Sequence, residues 1–125
     1  EDFLLGRWIS TGDDLEIEVY KIHQEYFGKV VWFACNPPKP PMEDYLDEHN
    51  PNETLRGQHW LGMTTLTHLK YSGHNKWDDG EVYDPNSGHT FRASAKLLTI
   101  NSVSVRGYWG IELFGKSLMF TRIKS

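Results

Sequence analysis

The residues most suited to chemistry lie in one stretch, WDDGEVYDPNSGHTFRA (residues 77–93), which holds four acidic residues, an asparagine and a histidine. Asp84, Asn86 and Gly88 occupy alternate positions, as the first ligands of a calcium-binding loop do. Such a loop needs an oxygen-bearing side chain at the third of these positions and a glycine directly after it. Gly88 and His89 stand there instead. The sequence therefore predicts no calcium site.

The same residues fit a tight turn between two β-strands. Pro85 presets φ for the second position of a turn, and the Asp84 side chain can accept backbone N–H bonds. Gly88 supplies a position of positive φ before the next strand. We therefore interpret DPNSG as a hairpin turn. The preceding residues 78–80, Asp-Asp-Gly, are interpreted as a β-bulge or a strand entry, because glycine within a strand often marks a bulge.

The remaining polar residues form no recognised catalytic or metal-binding motif. The six histidines show no pair with metal-ligand spacing, and HExxH, GxSxG, P-loop and dinucleotide-binding motifs do not occur. Cys35, the only cysteine, ends the apolar run VVWFAC and is interpreted as a small buried side chain. The sequence predicts neither metal nor cofactor. It favours a protein without catalytic activity, although a carboxylate pair assembled only by folding stays open.

Composition and charge narrow the functional class further. A chain of 125 residues, 38% hydrophobic and 14% aromatic, suits one globular domain over residues 1–125. No apolar run approaches the roughly 20 residues of a membrane span. The net charge is −4 and the sequence pI is about 5.8, which argues against nucleic acid as the main partner.

Alternation of apolar and polar residues dominates the chain and predicts an all-β fold. We expect about eight strands, at 7–11, 15–22, 27–34, 61–71, 77–83, 89–98, 102–108 and 116–123. Short connections join most of them, which predicts an antiparallel, up-and-down sheet that closes into a barrel. Segment 61–71 is compatible with either a strand or a helix, because Leu66 and Leu69 have helical spacing.

One connection, residues 36–59, is much longer than the others. Its PPKPP sequence predicts a stiff, extended chain, and MEDYLDEH is compatible with one or two helical turns. Residues 43–53 contain five acids and no Lys or Arg. This acidic segment is either a solvated loop or a docking surface for a protein partner, and long loops in compact domains are often functional.

The two ends of the chain carry another informative pair. Trp8 follows Gly6 in the first strand, and Arg122 lies in the last strand. The first and last strands of a closed barrel are neighbours. We therefore expect the Arg122 guanidinium to lie over the Trp8 ring in a cation–π contact that closes one end of the barrel.

A Gly-x-Trp on the first strand with an Arg on the last resembles the lipocalin superfamily. The ordered set GRW, DEHNP, LRGQHWLG, WDDGEVYDPNSGHTF, VRGYWG and LFGKSLMFTR resembles an exported bacterial family described only as domain of unknown function 2147. Phe91 and Phe120 depart from the aromatic residues expected there, Tyr and Trp. The structural signature comprises Gly6, Trp8, Asp84, Pro85, Gly88, Arg106, Gly107 and Arg122.

This resemblance implies a lipocalin-like barrel, a leader peptide and export to the periplasm or beyond, and it implies no known reaction. We expect an exported protein that binds a small apolar molecule, neutral or cationic because the acids of segment 43–53 disfavour anions. The predicted lining or mouth residues are Trp32, Trp60, Tyr83 and Trp109. The alternative is a non-enzymatic structural or interaction module of the envelope, with a filled barrel and segment 43–53 as its docking surface.

Overall fold

A computed structural model describes residues 2–35, 40–108 and 116–123, with Tyr108, Lys116 and Ser117 described by their backbone alone. Within these residues the chain forms eight strands: β1 (Gly6–Ser10), β2 (Leu15–Ile22), β3 (Glu25–Phe33), β4 (Thr64–Gly73), β5 (Lys76–Asp84), β6 (His89–Thr99), β7 (Ser102–Tyr108) and β8 (Lys116–Arg122). Each strand pairs antiparallel with the next, and β8 pairs with β1. The predicted closed antiparallel barrel is confirmed.

The segments that the sequence left open are now defined. The ambiguous segment 61–71 is a strand, β4, which begins at Thr64 after a short turn. The helical turn expected in MEDYLDEH is a single 3-10 turn, Met42–Asp44, and a second 3-10 turn follows at Glu53–Leu55. No helix in the described part of the chain is long and apolar enough to cross a membrane.

The alternation read from the sequence separates the two faces of the barrel. In β2, Ile17 and Val19 are buried in the core. Glu18 lies between them on the outer face, where its carboxylate is 3.7 Å from Arg7 on β1 and 3.5 Å from Lys29 on β3. Because successive side chains of a strand point to opposite faces, this pattern fixes the inner and outer faces of the neighbouring strands as well.

One end of the barrel, which we call the closed end, carries the short turns 23–24, 74–75 and 100–101. Trp8 is completely buried there, and its indole Nε1 donates a hydrogen bond to the Leu4 carbonyl oxygen at 3.0 Å. The expected cation–π contact is present, with Arg122 Cζ lying 4.2 Å from the Trp8 ring centroid. The end-closing role predicted for this pair therefore has a direct structural basis.

Arg122 also joins the N-terminal segment to the β6–β7 turn. Its Nη1 donates to the Leu5 carbonyl at 2.9 Å, its Nε donates to the Ile100 carbonyl at 3.0 Å, and its Nη2 donates to the Phe3 carbonyl. Gly6 has a φ of 120°, and a Cβ there would lie 3.2 Å from Arg122 Nη1. A glycine at this position gives the guanidinium the space in which it makes these bonds.

Large side chains fill the half of the barrel next to the closed end. Trp77 contacts the ring of Tyr26 edge-on, at 6.2 Å between centroids, and the ring of Tyr71 at 5.1 Å. The side chains with 0% exposure in this half are Trp8, Tyr26, Leu69 and Trp77. Little room for a ligand is left here, since these rings and the Leu69 side chain occupy the interior.

Residues 78–80, for which the sequence left a bulge or a strand entry open, form a β-bulge. Trp77 pairs with Ala95 and Gly80 pairs with Ala93, so two residues of β5 lie opposite one residue of β6. Asp79, within the bulge, has a φ of 63°. A Cβ on Gly80 would lie 2.6 Å from Leu69 Cδ2, so a glycine is needed for β5 to approach this buried leucine.

Candidate functional site

The opposite end of the barrel, which we call the mouth, is where β1, β3, β5 and β7 end, and the described connections there include 11–14, 40–63 and 85–88. Residues 40–63 form the mouth loop, which folds back on itself. Leu46 and His59 form an antiparallel bridge, and the Trp60 amide donates to the Tyr45 carbonyl at 3.0 Å. The mouth loop therefore has internal backbone pairing, and its side chains have defined positions at the barrel rim.

An aromatic cluster attaches the mouth loop to the end of β3. The ring centroids of Tyr45 and Trp60 are 4.8 Å apart, and both rings pack on Phe33, at 5.0 and 5.4 Å. Phe33 pairs with Leu15, which packs against the core, so Phe33 belongs to the inner face. The cluster thus joins an inner-face ring to two rings of the loop.

A buried carboxylate attaches the same loop to β5. Asp47 has 0% exposure, and its Oδ1 accepts a hydrogen bond from the Tyr83 hydroxyl at 2.6 Å. Its Oδ2 accepts a second hydrogen bond, from Asn50 Nδ2 at 2.8 Å. Burial first, and then the adjacent Asp47 carboxylate, raise the pKa of Tyr83 well above its usual range. The phenol is therefore held protonated, which is the form that donates to Asp47.

The turn that follows β5 completes the support of the mouth loop. Asp84 Oδ1 accepts the Asn86 amide at 2.9 Å, and the Asp84 carbonyl accepts the Gly88 amide at 2.8 Å. The predicted DPNSG hairpin turn, with Pro85 after Asp84, is confirmed. Gly88 has a φ of 77°, and a Cβ there would lie 1.9 Å from the His49 carbonyl oxygen. Gly88 thus serves both the turn and the close approach of the loop.

The inner face near the mouth is apolar and partly open to solvent. Leu118 on β8 pairs with Val105, and Val105 packs against the core, so both side chains lie on the inner face. Leu118 is nevertheless 51% exposed. Leu15 and Val82 share this face and are half-buried. An apolar surface inside the barrel and accessible to solvent is a candidate ligand surface.

The predicted lining residues do not lie together in the structure. Trp60 belongs to the aromatic cluster, whereas Tyr83 lies on the rim and holds the loop through Asp47. Trp32 pairs with Glu16 on the outer face, so its side chain does not line the interior of the barrel. Trp109 lies outside the described residues.

A β-bulge explains the position of Trp32. Ile17 pairs with Val30 but Glu16 pairs with Trp32, so Val31 is an extra residue in β3. Regular alternation from Val30 would have turned Trp32 inward, and the extra residue turns Phe33 inward instead. Sequence reasoning therefore missed Phe33, and also Leu118, although Leu118 alternates with the buried Phe120 in the same strand.

The last two signature residues lie on β7. Gly107 pairs with Ala93, and a Cβ on Gly107 would lie 3.2 Å from Val82 Cγ1, so the Val82 side chain occupies the inner-face space beside Gly107. Arg106 is exposed and pairs in register with Ser94. Among the described residues, no three His, Cys, Asp or Glu side chains come close enough together to hold a metal ion.

The closed eight-stranded antiparallel barrel, with a 3-10 turn at Asp2–Leu4 before β1 and with its Trp8–Arg122 contact, has a lipocalin-like architecture. The family model of DUF2147, described as an uncharacterized protein conserved in bacteria, matches residues 6–122, and the chain belongs to this family. The resemblance noted in the sequence is thereby confirmed.

A solved structure agrees with this fold. Protein HP1028 from the human pathogen Helicobacter pylori, which belongs to the lipocalin family, superposes with a TM-score of 0.81. The match covers 97% of this chain and 83% of the Helicobacter pylori chain, at 17% sequence identity. A match at this level of sequence identity supports a shared fold and nothing further. Comparison with curated protein sequences gives no match.

Proposed function

We propose that the protein binds a small, largely apolar molecule at the mouth of the barrel. The observation that carries this proposal is Leu118, an inner-face side chain that is 51% exposed. A leucine left half in water on a concave apolar surface gains free energy when a ligand covers it. A lipocalin-like barrel is compatible with such a ligand, because eight strands enclose space for side chains or for one small molecule.

The closed half of the barrel limits where the ligand lies. Trp8, Tyr26 and Trp77 fill that half and leave the interior next to the mouth as the binding region. The aromatic cluster of Phe33, Tyr45 and Trp60 stands at its entrance. A ligand that enters from the mouth would meet Leu15 and Leu118 first. The proposed site is therefore shallow and suits a short alkyl or aromatic group.

The charge of the mouth loop selects among apolar ligands. Residues 43–53 contain five acids and no Lys or Arg, and Asp44 and Glu48 are exposed. Their field disfavours an anionic head group at the entrance. We therefore propose neutral or cationic amphiphiles, and not free fatty acids, as the ligand class.

Binding of the neutral fluorescent probe N-phenyl-1-naphthylamine tests the site. We expect a dissociation constant below about 100 μM, which is about −5.5 kcal/mol. Covering the exposed half of Leu118 is worth about 1 kcal/mol, so Leu118→Gln should weaken binding about fivefold. Leu98→Gln is the matched control, because Leu98 is 47% exposed but lies on the outer face.

Two results would contradict the proposal. The first is the absence of probe binding together with the absence of a co-purified ligand in native mass spectra of protein from its own host. The second is equal weakening by Leu118→Gln and Leu98→Gln. Export to the bacterial envelope is a further part of the proposal, supported by the family resemblance, and fractionation of the native host for periplasmic and secreted protein tests it.

One observation favours the alternative, a non-enzymatic envelope module with a filled barrel. The closed half is packed with large rings, and towards the mouth the Val82 side chain occupies the inner-face space beside Gly107. If the mouth is filled as well, the acidic segment 43–53 becomes the main surface for a partner. Failure of every apolar probe to bind, with capture of a partner that is lost when these acids are neutralised, would favour this function.

A further inference from the structure

A second, separate concavity lies on the mouth loop. It is a crevice of about 270 Å³ between the loop and the β5–β6 turn, with Tyr45, Trp60, Asp44 and Glu48 on the loop side and Asn86 on the turn side. Its volume is just below the range of about 300–1,000 Å³ typical of small-molecule pockets. The crevice therefore fits a compact chemical group.

Two aromatic rings form fixed walls of this crevice. Tyr45 and Trp60 are tilted by 46° to each other, and both pack on Phe33. The Trp60 Nε1 is buried and has no hydrogen-bond partner within the described part of the chain. The Trp60 amide is bonded to the Tyr45 carbonyl, so the backbone holds the two rings together. Rings fixed in this way need no ordering when a ligand binds.

Two carboxylates lie beside the rings. Asp44 ends a 3-10 turn, with its amide bonded to the Pro41 carbonyl at 3.0 Å, and the Glu48 amide bonds to the Leu46 carbonyl at 2.9 Å. No cationic side chain of the described residues is paired with either carboxylate. The crevice thus combines aromatic surface with two negative charges, the combination that attracts organic cations by cation–π and Coulomb interactions.

We propose that this crevice binds the ammonium group of a small organic cation. Tyr45 and Trp60 provide the aromatic contact, and Asp44 and Glu48 provide the charge. The affinity of the crevice needs no apolar tail, so it is independent of the Leu118 surface. An alkylammonium amphiphile could engage both surfaces, whereas a tail-less cation engages only this crevice.

Choline and its neutral isostere 3,3-dimethylbutan-1-ol, in which carbon replaces the charged nitrogen, test the proposal. We expect choline to shift the Trp60 indole resonance in two-dimensional ¹H–¹⁵N spectra, with the resonance assigned by its loss in Trp60→Phe. The dissociation constant of the isostere should be roughly tenfold higher than that of choline, since the isostere lacks the charge. Added salt should weaken choline binding and leave the isostere unchanged.

Charge variants locate the site. The double variant Asp44→Asn with Glu48→Gln should weaken choline binding about fivefold or more, since it removes both charges of the crevice. Glu53→Gln is the control, an acid of the same loop outside the crevice, and should change the affinity less than twofold. All three substituted side chains are exposed, so the variants are expected to fold normally.

Dodecyltrimethylammonium below its micelle concentration distinguishes a free cation from an amphiphile. Tighter binding than choline, reversed by Leu118→Gln, would assign the natural ligand to the amphiphile class, and equal binding would assign it to free cations. Equal affinity for choline and its isostere would overturn the proposal. So would retention of choline binding in the double variant, or choline shifts confined to residues away from the mouth loop. The three results that would overturn the proposal do not depend on whether neutral probes bind at Leu118.

Discussion

Tyr83→Phe tests whether the buried Asp47 carboxylate holds the mouth loop in place. The substitution removes a single hydroxyl, which donates to Asp47 Oδ1 at 2.6 Å. Asp47 has 0% exposure, so water does not readily replace the lost bond. Hydrogen bonds to charged groups contribute about 1.5–3 kcal/mol. We expect Tyr83→Phe to lower the free energy of unfolding by about 2 kcal/mol.

Tyr20→Phe is the matched control. The Tyr20 hydroxyl is 2.6 Å from Thr64 Oγ1, in a half-buried pair of neutral groups. Neutral hydrogen bonds contribute about 1 kcal/mol, so this control should cost about half as much as Tyr83→Phe. Urea denaturation followed by tryptophan fluorescence measures both variants, and equal m-values would show that the change is one of stability.

Hydrogen exchange shows where the lost stability resides. The Asp47 amide donates to the Gln58 carbonyl at 2.8 Å, and the Trp60 amide donates to the Tyr45 carbonyl at 3.0 Å. A loss of about 2 kcal/mol in the attachment of the loop corresponds to about 30-fold faster exchange of these amides. If Tyr83→Phe costs no more than Tyr20→Phe and leaves these amides unchanged, the Asp47 network does not hold the loop.

Three further predictions concern the barrel itself. In a double-mutant cycle, Trp8→Phe and Arg122→Gln should couple by about 0.5–2 kcal/mol, and effects that add within about 0.3 kcal/mol would contradict the contact. Burial, and then the hydrogen bond to Asp2, raise the pKa of Tyr26 from 10.0 to about 12. Because the pKa of Tyr26 is higher in the folded protein, its contribution to the free energy of unfolding is complete below pH 10 and is lost as the pH rises towards 12. The urea midpoint should therefore decrease between pH 10 and pH 12, and a midpoint that does not change over this range would contradict the prediction. EDTA dialysis should leave the melting temperature unchanged; a fall of several degrees reversed by one metal would disprove the absence of a metal site.

The barrel was predictable because its determinants are local. Alternation in a segment such as LEIEVYKI places Ile17 and Val19 on one face and Glu18 on the other, whatever the rest of the chain does. Turn chemistry is local as well, and the DPNSG turn followed from Asp84, Pro85 and Gly88. The pairing of β1 with β8 could then be predicted from the number of strands and their short connections.

The mouth was less predictable because its determinants are distant in sequence or depend on one inserted residue. The bond between Asp47 and Tyr83 joins residues 36 positions apart, and no periodic pattern indicates it. The bulge at Val31 reverses the alternation and exchanges the faces of Trp32 and Phe33. The exposure of Leu118 depends on how the barrel is filled, which the alternation of β8 does not determine.

The position of a bound apolar molecule decides whether the mouth of the barrel is a ligand site. In methyl ¹H–¹³C NMR spectra with 1-decanol as the probe, we expect shifts and intermolecular contacts for the methyl groups of Leu118, Leu15 and Val105 on the inner face at the mouth. The methyl groups of Leu98 and Ile100, equally exposed near the closed end at 47% and 54%, should stay unshifted. Contacts confined to Leu98 and Ile100, or no shift at Leu118 at saturating probe, would contradict a ligand site at the mouth.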